Sequence, residues 1–335
     1  MSQRVNAYAA MQAGEPLVPF EYELPALGSD DVDIEVLHCG ICHSDLSMIN
    51  NDWGFSAYPL VAGHEVIGRV KAVGDHVNHI QVGDHVGLGW QAGYCMDCGQ
   101  CMSGHHNTCP TAEMTIVGRH GGFADHVRAK AAALFVLPQG IDVATAGPLL
   151  CGGITVFAPI AEHVSPTDQV AVIGIGGLGH LAIKFLNKWG CEVTAVTRSE
   201  DKAEEAKKMG AHHVVTPQAL ESGEAGLGRF NMVLSTVNVA MNWAAILETL
   251  APRGRIHSVG AVDVPLEIPI FPLIMGERSI GASPVGSPNA INTMLQFAAR
   301  HHITPDTEHF PMDSINEALA HLKSGKARYR VVLDR

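Results

Sequence analysis

The sequence predicts an α/β chain in two parts: a twisted β-barrel-type lobe, and a doubly wound parallel sheet inserted between the two segments that build that lobe. Three observations carry this. Short alternating strand-length runs separated by Gly and Asp fill the first 150 residues, as in "DVDIEVLHCG", "HEVIGRVKAVG", "VGDHVGLG" and "FADHVRA". From about residue 168 the pattern changes to strands alternating with helices, the mark of a parallel sheet covered on both faces. The last fifty residues return to one helix, "SINEALAHLKSG", and a final strand, "YRVVL", which we assign to the first lobe. The expected division is 1–150 with 285–335, and 151–284.

Within the alternating region each element has its own signal. "QVAVIG" is a short buried strand, apolar after Gln169, as expected where both faces are covered. "LGHLAIKFLNKWG" has helical apolar spacing and stops at Gly190. "CEVTAVT" is the next strand, and "SEDKAEEAKKMG" a polar helix ending at Gly210. "HHVVT", "FNMVLSTV" and "GRIHSVG" continue the strands. Neither an internal repeat nor a low-complexity tract interrupts the pattern.

Composition narrows the function. The chain has 335 residues, 47% of them hydrophobic and 17% charged, which suits about two globular domains. Its formal net charge is −12, and such a surface repels nucleic acid and anionic membranes. No apolar run is long enough to cross a bilayer, and "MSQRVNAYAAMQAGEP" lacks the shape of a secretion signal. These features lead us to expect a cytoplasmic protein, whose thiols a reducing compartment keeps free.

That expectation matters for "YCMDCGQCMSGHHNTC", residues 94–109, where Cys95, Cys98, Cys101 and Cys109 follow the pattern C-x2-C-x2-C-x7-C. Two disulfides, an iron–sulfur cluster or one metal ion could use four such cysteines. Reducing conditions disfavour disulfides, and the bacterial cluster run has a last gap of three residues rather than seven. Closely spaced C-x2-C steps suit tetrahedral zinc. Four thiolates would close the coordination sphere, so a zinc in the lobe 93–110 would stabilise and do no chemistry.

"VAVIGIGGLGH" places Gly174, Gly176, Gly177, Leu178 and Gly179 between a strand and a helix, in the G-x-G-x-x-G arrangement that seats a dinucleotide pyrophosphate at a helix N-terminus. NAD-binding versions carry an acid about twenty residues on, at the end of the next strand. Here that strand ends in Thr197, Arg198 and Ser199, with Lys202 shortly after. An acid would repel a 2′-phosphate, whereas arginine and hydroxyls bind one. We therefore expect NADP(H). Glu200 and Asp201 begin a helix, where acids are ordinary first-turn residues.

"CGICHSDL", "VAGHEVIGRV" and "LLCGGIT" contribute Cys42, His64 with Glu65, and Cys151. Two thiolates and an imidazole would leave a zinc position open, as catalysis needs. Separations of 22 and 87 residues establish nothing alone. Gly63-His64-Glu65-x2-Gly68-x5-Gly74-x2-Val77 resembles the zinc alcohol dehydrogenase signature of the medium-chain dehydrogenase/reductase family. The four-cysteine lobe, Cys151 and the glycine motif follow in that family's order, and the likeness runs nearly end to end. "CGICHSDL", "GIGGLGH" and "ARYRVVL" most resemble the cinnamyl-alcohol-dehydrogenase branch, and within it the bacterial NADPH-dependent broad-range aldehyde reductases.

The resemblance implies a GroES-like catalytic domain around an inserted Rossmann domain, with two Zn2+ per chain. Cys42, His64 and Cys151 would hold the catalytic zinc, with Glu65 an alternate ligand, and the four clustered cysteines the structural one. Ser44 would relay the proton. Asp45 would stand behind His64 and orient it. Arg330 would pair with Asp45 or reach the cofactor pyrophosphate. His43, Thr155, Thr236 and Ser283 would lie at the cofactor, the second and last near the nicotinamide. Many relatives place a histidine five residues after the first zinc cysteine, but here Ser47 stands there. Trp53, Trp90 and Met114 are candidate walls for an apolar or aromatic substrate. The expected activity is reversible aldehyde reduction to alcohol by NADPH, and the family habit of joining sheets edge to edge implies a homodimer through "SIGASPV". Competing readings are an NAD-linked polyol dehydrogenase, against which the missing acid counts, and a non-catalytic binding protein on the same fold.

Overall fold

A computed structural model describes residues 3–262 and 264–335. The chain divides into two units, one running to Ile154 and resuming over Val285–Arg335, the other spanning Thr155–Pro284. The crossing falls inside a helix, so Cys151 belongs to the first unit, a few residues later than the division at 150/151 expected from sequence.

In the first unit the strands are β1 (Gln3–Ala9), β2 (Val18–Leu24), β3 (Asp31–Ile41), β4 (Glu65–Val73), β5 (His85–Leu88), β6 (Gln91–Gly93), β7 (Glu113–Met114), β8 (His126–Lys130) and β9 (Leu134–Val136). Helix α1 (His43–Asn50) follows β3, and the short α2 (Gly99–Met102) lies in the cysteine lobe. After the second unit come α9 (Pro288–His301), β16 (Thr307–Pro311), α10 (Ile315–Lys323) and β17 (Arg330–Asp334).

A seven-stranded sheet runs β16-β17-β3-β4-β5-β9, with β8 pairing β3. The return of the chain's end to this sheet has a local cause. "RVVLD" is apolar over its middle positions: Val331, Val332 and Leu333 are fully buried, and Val331 and Leu333 join the core of Val32, Ile34, Val66 and Val70. Glycine permits the tightest pairing. At Gly40, opposite Glu65 on β4, a Cβ would stand 2.0 Å from Glu65 Oε2, so the carboxylate fits only because the side chain is absent.

In the second unit the strands are β10 (Gln169–Ile173), β11 (Glu192–Val196), β12 (His213–Val215), β13 (Phe230–Ser235), β14 (Leu250–Ser258) and β15 (Ser279–Ala282). All pair in parallel, in the order β12-β11-β10-β13-β14-β15. This is the Rossmann arrangement, with its order reversing beside β10. The helices are α3 (Gly152–His163), which carries the crossing, then α4 (Gly179–Trp189), α5 (Glu200–Met209), α6 (Pro217–Glu221), α7 (Trp243–Glu248) and α8 (Ile270–Gly276). Helix α5 shows how fully sequence specifies such an element. Ser199 caps it by accepting from the Lys202 amide at 3.4 Å, Glu200 and Asp201 fill its first turn, Lys207 and Lys208 its last, and Gly210 closes it at φ 112°.

Candidate active site

Cys42, His64, Glu65 and Cys151 converge with their ligand atoms within 4.8 Å of one another, all four buried. The sheet makes this possible. Cys42 follows the end of β3, and His64 precedes the start of β4 across the antiparallel pair. Cys151 ends a turn of 3-10 helix, Gly147–Leu150, whose Gly147 lies so close that a Cβ would stand 2.6 Å from the Glu65 carbonyl. His64 Nε2 is 3.3 Å from Cys151 Sγ, and the two sulfurs are 3.7 Å apart. The Ser44 hydroxyl is 3.9 Å from Cys42 Sγ.

Asp45, on α1 and fully buried, fixes this arrangement. Its Oδ1 accepts from the Gly63 amide at 2.8 Å and faces His64 Nδ1 at 2.9 Å, while Oδ2 accepts from the Cys42 amide at 2.9 Å. His64 Nδ1 therefore donates to Asp45, and Nε2 is the nitrogen turned toward the sulfurs. Two carboxylate oxygens thus set the positions of two ligands and the turn between them.

Arg330 departs from expectation. It pairs with Glu65, not Asp45. The reason is supply and demand for charge: Asp45 already takes three donors, while Glu65 is wholly buried beside thiols and takes its counter-charge chiefly from Arg330. Pairing of β17 with β3, Val331 opposite Ile41, delivers Arg330 to the site. Glu65 Oε2 still has no hydrogen-bond partner, nor does Arg330 Nε. Burial raises the Glu65 pKa despite Arg330. Cys42 and Cys151 share a hydrogen bond that holds the first thiol well below its usual range and the second well above it. The pair thus retains one proton between them, and a bound cation is what would release it. Two sulfurs, one imidazole nitrogen and an orphaned carboxylate oxygen fit zinc with an open position.

Around His64 stands an aromatic wall. Trp90 meets the His64 ring edge-on at 5.0 Å, Trp53 meets Trp90 at 6.1 Å, and Phe55 stacks on Trp53 at 5.8 Å. Phe55 is absent from the sequence-derived candidates; its only signal there is the W-x-F step in "DWGF". Met114 sits opposite Gln91 on the β6–β7 ribbon, one step along the chain from Trp90.

Cys95, Cys98, Cys101 and Cys109 form the second cluster, again within 4.8 Å. Every cysteine is a free thiol. The Cys98 amide donates to Cys95 Sγ at 3.3 Å and the Cys101 amide to Cys98 Sγ at 3.4 Å, so backbone donors fold the sulfurs inward. The Cys109 thiol is lowered to about 6, chiefly by the Cys95 backbone, whereas burial pushes Cys101 up to about 12. Four sulfurs drawn this close together suit one shared cation.

In the second unit Gly174 leaves β10 with φ 88°. A Cβ on Gly179 would stand 1.8 Å from the Gly174 carbonyl oxygen, so helix and strand close up only on glycine, whereas Gly176 faces open space. Gly177 and Leu178 complete the turn into α4. Thr236 Oγ1 reaches the Ile173 and Gly174 carbonyls at 3.0 and 2.9 Å, pinning the turn from β13's end. This open, glycine-lined turn at a helix start fits a pyrophosphate. At the end of β11, Thr197 Oγ1 accepts from the Ser199 amide at 3.2 Å, and Arg198 is exposed. Thr155 and Ser283 belong to this unit, His43 and Arg330 to the first. His43 is exposed and Arg330 is taken by Glu65.

A GroES-like unit bearing two cysteine-rich clusters that could each hold a metal ion, in one chain with a Rossmann unit bearing a dinucleotide turn, defines a zinc-binding dehydrogenase. Residues 28–139 match the alcohol dehydrogenase GroES-like domain and residues 177–300 the zinc-binding dehydrogenase domain. Aldehyde reductase AdhA of Synechocystis sp. is 59% identical, over 98% of each chain. A solved cinnamyl alcohol dehydrogenase of Sorghum bicolor superposes with a TM-score of 0.94 at 35% identity, covering 99% of this chain and 98% of its own. One of Helicobacter pylori, solved with NADP(H), gives 0.90 at 27% identity, covering 100% and 99%. The chain belongs to the cinnamyl-alcohol-dehydrogenase branch of the zinc-dependent medium-chain dehydrogenase/reductase family. It is an oxidoreductase acting between aldehydes and alcohols.

Proposed function

We propose that the protein is a zinc- and NADPH-dependent aldehyde reductase, reversible as an alcohol dehydrogenase, with two zinc ions per chain. The observation that carries this reading is the buried Cys42, His64 and Cys151 set, with Glu65 Oε2 orphaned beside it. Three ligands leave a position for substrate, and the carboxylate can take that position when substrate is absent. Bound zinc supplies Lewis-acid polarisation of a carbonyl, and bound NADPH supplies a hydride.

The chain's own residues do the rest. Asp45 holds His64 in the tautomer that presents Nε2. Arg330 balances Glu65, so the buried carboxylate need not stay charged alone. Ser44 holds a hydroxyl proton near Cys42 and delivers it to the product oxygen as the alkoxide forms. With Ser47 in place of a histidine, the relay either ends at Ser44 and the cofactor ribose or continues through water. Trp90, with Trp53 and Phe55 arrayed outward from it, offers an aromatic surface that favours an apolar or aromatic aldehyde.

For the cofactor, Arg198 with Thr197 and Ser199 would meet a 2′-phosphate, and the Helicobacter pylori relative is described with NADP(H). Ser283 would lie at the nicotinamide. A homodimer is supported by β15, which among the described residues pairs only with β14, and by α8, where Ile270, Phe271, Ile274 and Met275 are 66, 68, 64 and 68% exposed. Free thiols throughout suit a reducing compartment such as the cytoplasm. The test is a steady-state panel of aliphatic and aromatic aldehydes and alcohols with both cofactors on zinc-replete protein. Absence of turnover with every aldehyde would overturn the reading.

A further inference from the structure

At the carboxyl ends of β14 and β15 the second unit holds a polar chain, Arg255, His257 and Ser283, of which only Ser283 has a role above. His257, on β14, is only 2% exposed. Arg255 Nε donates to His257 Nδ1 at 3.2 Å. A guanidinium cannot accept, so Nδ1 is the acceptor and the ring proton sits on Nε2. Nε2 lies 3.0 Å from Ser283 Oγ. The imidazole N–H therefore donates, the serine oxygen accepts, and the serine keeps its own hydroxyl proton to give elsewhere.

This arm is built at some cost in sequence. Arg255 can lie across β15 only because position 281 is glycine: a Cβ there would stand 1.8 Å from Arg255 Nη2. Arg255 Nη1 also donates to Ser279 Oγ at 3.3 Å, which fixes the guanidinium. Burial, then Arg255 and His163, lower the His257 pKa to about 4, so the ring is neutral at physiological pH and keeps one donor and one acceptor. Ser283 is the first residue past β15, which ends at Ala282. Sheets of this kind bind their ligands outside the carboxyl ends of the strands.

We propose that His257 is a positioning residue, which holds the Ser283 hydroxyl as a hydrogen-bond donor to the carboxamide oxygen of bound nicotinamide. The inference rests on the dinucleotide reading above and deepens it. A nicotinamide ring turns about its bond to the ribose, and a donor of fixed direction restrains the carboxamide and with it the ring.

The experiment measures the dissociation constant of NADPH by its fluorescence on zinc-replete Ser283→Ala, His257→Leu, His257→Gln and the Ser283→Ala/His257→Leu double variant. The thionicotinamide analogue of the cofactor is run in parallel, because sulfur accepts hydrogen bonds poorly. Ser283→Ala should weaken NADPH about 5- to 10-fold, or ~1–1.4 kcal/mol, and weaken the analogue less. His257→Leu should show most of that loss, His257→Gln should recover it by restoring an N–H, and the double variant should be no worse than Ser283→Ala alone. Gly281→Ala, which displaces Arg255 without altering His257, should give a smaller loss of the same kind and serves if His257→Leu does not fold. Losses that add in the double variant, or that fall equally on both cofactors, would indicate a merely structural role and overturn the proposal. So would unchanged NADPH affinity in folded Ser283→Ala. Failure of the underlying reading looks different: wild-type protein would then bind neither dinucleotide.

Discussion

Replacing Asp45 by asparagine tests the arrangement on which the metal site depends. The carboxylate takes three donors, two on Oδ1 and one on Oδ2. Asparagine has one acceptor oxygen. Placed at Oδ1 it keeps the Gly63 amide and His64 Nδ1, but its NH2 group then points at the Cys42 amide, donor against donor. The reverse orientation loses two bonds instead of one, so the first prevails. Hydrogen bonds to a charged group are worth about 1.5–3 kcal/mol and neutral ones about 0.5–1.5, while an unsatisfied buried donor costs about 1–3. Weakening two bonds and orphaning the Cys42 amide should lower stability by about 2–5 kcal/mol. Part of that loss falls on the ligands themselves, because Cys42 and His64 are no longer held for the ion. Loss of such a partner typically costs 10- to 100-fold in metal affinity. The assay is zinc release to a chromophoric chelator, monitored with circular dichroism. Asp45 makes no contact with Cys95, Cys98, Cys101 or Cys109, so the zinc held there serves as an internal reference. One zinc per chain should leave the variant at about 10- to 100-fold lower chelator strength, and the other at the wild-type strength. A folded Asp45→Asn protein that releases both ions as wild type does would refute the role given to Asp45.

Elemental analysis should find two zinc ions per chain; Cys151→Ala should abolish turnover in a folded protein, whereas Cys98→Ala should lower the melting temperature, since a structural zinc contributes folding free energy directly. Wild-type kcat/KM should favour NADPH over NADH by at least about tenfold, the worth of one charged contact. Thr197→Asp should reverse or erase that preference, and Arg198→Ala should weaken NADPH while leaving NADH nearly unchanged; equal use of both cofactors by wild type would remove the assignment. Gly179→Ala should weaken NADPH more than tenfold by fluorescence titration, because its Cβ meets the Gly174 carbonyl at 1.8 Å and a backbone oxygen cannot step aside without moving the turn. Phe271→Glu/Ile274→Glu should convert a dimer to monomer by sedimentation, given how exposed both residues are in one chain; an unchanged sedimentation coefficient would place the interface elsewhere.

How much of this was legible in the sequence depends on how far apart the cooperating residues lie. The four-cysteine lobe fits inside sixteen residues, so C-x2-C steps alone bring its sulfurs together, and the local chain needs no help from the fold. The same holds for the dinucleotide turn: glycine at 174 for its φ and at 179 for its closeness is a demand made within six residues. The catalytic cluster is different. His64 lies 22 residues from Cys42, and Cys151 a further 87, and no spacing rule joins them. They meet because β3 and β4 pair antiparallel with Gly40 opposite Glu65, which sets the residues just outside that pair side by side. From sequence, only the family resemblance could supply that pairing.

Arg330 shows where even resemblance fell short. Its expected partner, Asp45, and its actual one, Glu65, are both acids near the same histidine, and sequence holds nothing to separate them. What separates them is saturation. Asp45 sits at a helix start and a tight turn, where backbone amides are plentiful; Glu65 starts a strand, where its neighbours' amides are committed to the ladder. A buried carboxylate in a strand must find its counter-charge from another side chain, and the strand bearing Arg330 is the one the apolar run "RVVL" docks against β3. The ion pair at the site thus follows from which acid the backbone had left unsatisfied, a quantity that exists only once the sheet has formed.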